Sequence, residues 1–86
     1  MSIDKPPDDP EKEYDRLKDQ AISEIAQHPS SLPPHERFDI VEHIARAAAD
    51  EGRLDEDVAA CFKPAKMEDS TALALAKCIK RQRRLH

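Results

Sequence analysis

EHIARAAADEGRLDEDVAACF, residues 42–62, is the stretch whose reading decides the fold. It runs as a helix former up to Gly52, the only glycine in the chain, and starts again at once. A lone glycine directly after a helical run marks a left-handed terminating residue. Upstream, Phe38, Val41, Ile44, Ala45 and Ala48 recur at spacings of three and four. That spacing predicts one buried helical face beginning near Pro34, which Ile40 and Ala47 widen. Downstream, Asp55 is the expected cap of a short helix. Ala59 falls where it would pack back on Leu54 as in a hydrophobic staple, and Leu54, Val58, Cys61 and Phe62 share a face. Lys63-Pro64 ends it, because proline keeps the residue before it out of the helical region.

The same stretch invites a helix-turn-helix reading, in which the second helix would enter the major groove with its first residues near phosphates. Here that end is Asp55-Glu56-Asp57. Carboxylates there would cancel the attraction to phosphate that supplies most DNA affinity, so this is not a recognition helix.

Working outward, HPSSLPP (28–34) is a linker. Before it, Asp9-Pro10-Glu11 starts a helix: Asp9 caps, Pro10 suits the first turn, and Glu11 meets the positive helix end. Tyr14, Leu17, Ala21, Ile22, Ile25 and Ala26 form its apolar face, and it ends near Gln27. Residues 1–8 are expected to be a disordered tail rich in Pro and Asp. After the connector KPAKM, Asp69 or Ser70 is the expected cap of a last helix carrying Ala72, Leu75, Ala76 and Ile79, with Leu73 and Cys78 beside that stripe. No segment alternates as a strand does. The fold class is therefore all-α: four helices, the third short, in one domain over residues 9–86. Connections this short suit a compact bundle as well as an orthogonal cluster.

The core is thin. Of 86 residues, 33 are apolar, but 12 of those are alanine and three are aromatic. Burying alanine gains far less than burying Leu or Ile at about 25 cal/mol per Å². A bound partner or a second copy would reinforce such a core, and the run Ala47-Ala48-Ala49 would permit close helix approach. A large enclosed substrate cavity is not expected from so short a chain. No apolar run approaches the ~20 residues of a membrane span, and MSIDKPPDDPEKE has no signal-like apolar stretch. A cytoplasmic protein is expected.

Charge is segregated along the chain. Residues 1–60 hold 16 acids and 7 bases, a balance of −9, while residues 61–86 hold 2 acids and 7 bases, a balance of +5. The acids Asp15, Asp19, Glu24, Glu36 and Glu42 on the first two helices are the expected surface for a basic protein partner, with charge setting the encounter rate. Lys77, Lys80, Arg81, Arg83 and Arg84 crowd the last helix. Four of them follow helical spacing, and the group is the expected surface for nucleic acid or an acidic partner, though no aromatic is present to stack a base.

Catalytic chemistry is not expected. His43 lies four residues after Asp39, which makes a solvated helix pair or half a metal site, and neither HExxH nor paired CxxC occurs. Cys61 with His43 would be the one nucleophile–base pairing, yet Cys61 sits on an apolar face that disfavours the thiolate. Cys61 and Cys78 lack CxxC spacing and read as small apolar thiols. The expectation is a small non-catalytic helical protein, without cofactor or metal, that binds another protein or itself. Nucleic-acid binding through the basic C-terminal helix is the second expectation.

Overall fold

A computed structural model describes residues 10–84, with side chains from Lys12 to Gln82. The expected tail (1–8) and the Asp9 cap lie outside the described residues. Within them the chain forms four α-helices and no strand: α1 (Pro10–Ala26), α2 (Pro34–Asp50), α3 (Asp55–Ala60) and α4 (Asp69–Arg84), with a single 3-10 turn at Lys63–Ala65 before α4. The helices make an all-α bundle with one shared core.

Proline and glycine set the limits as their chemistry requires. Pro10 and Pro34 are the first residues of α1 and α2, where a missing N–H costs nothing. α2 runs out at Asp50, Glu51 follows as its C-cap, and Gly52 takes φ +81. Its N–H bonds the Ala49 carbonyl at 3.0 Å and the Arg53 N–H bonds that of Ala48 at 3.2 Å, closing the orphan carbonyls of the last turn. Lys66 is the second left-handed residue, at φ 71, and turns the chain out of the 3-10 segment.

The core is built around two fully buried rings, Phe38 of α2 and Phe62 after α3, whose centroids lie 6.0 Å apart with planes inclined by 30°. The ammonium of Lys18 lies 5.6 Å from the Phe38 centroid, a cation–π contact at the edge of the core. Tyr14, Leu17, Ala21 and Ile25 come from α1, and Ala72, Leu75, Ala76, Cys78 and Ile79 from α4. Ala65 and Met67 of the connector are buried too, so KPAKM is part of the core and not merely a link.

Four expectations are corrected. Ile44 is not on the buried face of α2, nor do Ile40 and Ala47 widen it: Ile44 and Ile40 are 50% and 51% exposed, Ala47 is exposed as well, and Ala49 is buried in their place. Leu54 is 66% exposed, so it neither shares a face with Val58 and Phe62 nor staples α3. Asp55 is the first residue of α3, behind Leu54 at the cap position without a side-chain cap bond. With Asp55, Glu56 and Asp57 all in the first turn, the carboxylates meet the positive end of the helix instead. Neither Asp69 nor Ser70 caps α4. The Ala72 N–H bonds the Glu68 carbonyl at 2.9 Å, which makes Glu68 the cap residue.

Glu24 of α1 supplies the missing capping group from across the molecule. Its carboxylate accepts the Glu68 N–H at 2.9 Å, the Thr71 hydroxyl at 2.8 Å and the Gln20 amide at 3.1 Å. Burial alone would raise the Glu24 carboxyl, but these three donors outweigh it and hold the group below the ordinary glutamate range. A second network ties α1 to α2. The buried Tyr14 hydroxyl donates to the Glu42 carboxylate, which also pairs with Arg46 at 3.3 Å. The Arg46 guanidinium lies 5.0 Å from the Tyr14 ring centroid. Burial, reinforced by Glu42, pushes the Tyr14 phenol well above its usual range, so it remains a donor.

Candidate interaction surface

α2 carries more apolar residues than one core face can take. Phe38, Val41, Ala45, Ala48 and Ala49 fill the inward half. Ile40 and Ile44 are left on an outward edge, one turn apart, with Ala47 exposed beside them. Arg37, Ile40, Ile44, Ala47 and Glu51 are spaced alternately by three and four residues. That is the repeat of a seam between two packed helices, here with no helix packed on it among the described residues.

Two open clefts border this edge. One, of about 350 Å³, lies between the 28–32 segment, Arg37, Ile40, and Pro64–Lys66 of the turn. The other, of about 270 Å³, is lined by Ile44, Ala47, Glu51, Asp57 and Cys61 among others. The edge of α2 is therefore one bank of a shallow groove, with Arg37 and Lys66 lining it towards the start of the helix and Glu51 and Asp57, together with Arg53, towards its end. Arg37 donates to the His28 carbonyl at 2.8 Å, which pins the linker to α2. Glu51 meets Arg53 at 3.2 Å. Lys66 and Asp57 are exposed and carry no side-chain bond.

The five acids singled out in the sequence divide. Asp15 and Asp19 stand exposed one turn apart on α1, and Glu36 is exposed in the first turn of α2. Glu24 and Glu42 are turned to internal partners, the first to the start of α4 and the second to Tyr14 and Arg46. The structure gives those two a role in holding helices together.

The basic set also divides. Lys80 pairs with Asp55 of α3 at 3.0 Å and Arg81 with Glu13 of α1 at 3.1 Å, while Lys77 is exposed. Arg83 and Arg84 continue α4, and their side chains lie outside the described residues. Lys77 and Lys80 border a cleft of about 480 Å³ with Leu54, Leu73, Asp55 and Glu56. Acids and bases share its rim, so neither sign dominates there.

Chemistry-bearing groups are dispersed. Among the described residues no three His, Cys, Asp or Glu side chains are grouped to hold a metal ion. The Cys61 thiol donates to the Asp57 carbonyl at 3.5 Å, and no hydrogen bond joins it to His43. Cys78 is 2% exposed; burial, helped by the charge of Glu13, raises its thiol above the usual range. Both cysteines are free. No helix among the described residues is long and apolar enough to cross a membrane. Comparison with family models, curated proteins and solved structures found no match.

The α2 edge is the feature that periodicity alone did not single out. The signal was present: the apolar residues of α2 extend around more than half the helix, and a core can cover only about half.

Proposed function

We propose that this chain is a small non-catalytic interaction protein that binds another protein chain through the exposed edge of α2. The observation that carries the reading is the pair Ile40 and Ile44, half exposed one turn apart at 51% and 50%, in a chain with few bulky apolar residues to spare. Leaving both in water forgoes apolar burial that a monomer of this composition needs, and covering them on a partner recovers it. The helix edge with flanking clefts fits the mode in which an apolar helix face lies in a groove. The free acids Asp15, Asp19 and Glu36 steer a partner bearing basic groups without fixing its pose. The chain works in the cytoplasm, where the thiols of Cys61 and Cys78 stay reduced.

Nucleic-acid binding through α4 is the weaker reading, because Lys80 and Arg81 are already neutralised by Asp55 and Glu13. A photo-crosslinking side chain placed in turn at Ile44, Asp15 and Lys77, with crosslinking in intact cells, separates the surfaces. The expected result is protein adducts from position 44 and few from 15 or 77. Adducts concentrated at position 77, or none at 44, would overturn the reading.

A further inference from the structure

Resting on that reading of the α2 edge, we infer that its occupant is a second copy of this chain, paired across a two-fold axis through Ile44 with the two α2 helices antiparallel. The seam is its own complement. Ile44 stands midway between Arg37 and Glu51, seven residues from each. An antiparallel copy centred there sets Ile44 against Ile44, Ile40 level with Ala48 and one residue from the small Ala47, and Arg37 against Glu51, which meets Arg53 within its own chain. Away from the axis the bulky Ile40 meets alanine and plus meets minus, and each of those contacts occurs twice, as an isologous interface demands.

A second charge pair on the neighbouring bank obeys the same symmetry. Lys66 borders the cleft beside Arg37 and Ile40, and Asp57 the cleft beside Ala47 and Glu51. A two-fold axis perpendicular to α2 keeps each bank on its own side while reversing the direction of the helix. Lys66 of one copy therefore faces Asp57 of the other. A parallel pairing would instead set Arg37 on Arg37 and Glu51 on Glu51.

The contact is small. The 15 residues from Arg37 to Glu51 span about 22 Å, and two helix diameters give a width of about 20 Å. That is on the order of 450 Å² per copy, short of the about 800 Å² of a standard stable interface. The pairing is thus reversible and depends on concentration.

Sedimentation equilibrium on the full chain, from about 10 μM to 1 mM, tests it. The expected average mass rises from that of the 9.7 kDa monomer toward twice that value. Lys66→Glu alone and Asp57→Lys alone should each raise the dissociation constant at least about tenfold, because each sets like charges together at both ends. An equimolar mixture of the two variants should restore association, since every facing pair is then opposite in sign. Both side chains are exposed and make no internal bond, and a matching circular-dichroism melt confirms that each variant folds. A wild-type chain that stays monomeric to 1 mM, or a mixture no better than either variant alone, overturns the pairing. Adducts at position 44 to a different protein, with a monomeric wild type, would overturn the pairing and leave the α2 edge as the binding surface.

Discussion

Phe62→Ala is expected to abolish cooperative unfolding or to lower the melting midpoint by more than about 10 °C. Phe62 is fully buried, is one of only three aromatic residues, and faces Phe38 at 6.0 Å. Removing a buried phenyl group costs about 3–5 kcal/mol, part transfer and part cavity. A chain of 86 residues has only about 4–13 kcal/mol of total stability. Each lost kcal/mol lowers the midpoint of a domain this size by about 4–8 °C. The core has little with which to fill the gap, because seven of its 18 buried apolar residues are alanine with no rotamer to swing. Phe62→Leu, which keeps most of the volume, should cost about 1.5 kcal/mol or less. A thermal melt followed by circular dichroism reads both. A shift under about 5 °C for Phe62→Ala would mean that the two rings are not the centre of the fold.

Glu24→Ala is expected to destabilise the protein by about 1–3 kcal/mol, through loss of a carboxylate that accepts three donors at once. The Thr71 hydroxyl is 2% exposed and keeps the Gln20 amide at 3.2 Å as a donor to it. The Glu68 N–H, at an exposed position, exchanges a charged acceptor for water. The pH dependence has a definite sign. The folded protein holds the Glu24 carboxyl below its ordinary value, so the unfolded chain binds the proton more tightly. The contribution is complete above the ordinary glutamate range and is lost as pH falls below that range through the lower folded value. Urea unfolding at a series of pH values should show stability falling on acidification. In Glu24→Gln, which keeps an acceptor but cannot titrate, that fall should be shallower. Equal slopes for the two proteins would show that the ionised Glu24 carboxylate adds nothing to stability.

What local chemistry dictates was legible in the chain. Pro10, Pro34 and Gly52 mark helix limits because each constrains one residue's own backbone, and the structure places those limits at them. The α4 stripe of Ala72, Leu75, Ala76 and Ile79 was legible because α4 has a single apolar face and hence one way to turn. α2 was not, because apolar residues surround most of it. Spacing establishes that it is a helix but does not choose which half turns inward. The two phenylalanines choose, since both must be enclosed and Phe38 fixes the rotation of α2. That rotation leaves Ile40 and Ile44 outside. The role of Glu24 had no local signal, since its backbone partner lies 44 residues further on and no short motif spans that distance. Asp55 illustrates the same limit from the other side: as a capping type at a helix start it reads as the cap, yet its carboxylate is held by Lys80 of α4.

The central claim is that the edge of α2 bearing Ile40 and Ile44 is a surface for a second copy of the chain rather than part of the fold. Amide correlation spectra recorded across a dilution series of the full protein test this most directly. The account predicts resonances that move with concentration at Arg37, Ile40, Ile44, Ala47 and Glu51 and, across the groove, at Asp57 and Lys66, while those of Lys77, Lys80 and Arg81 stay fixed. Spectra unchanged at every concentration, or shifts centred on the basic end of α4, would contradict it.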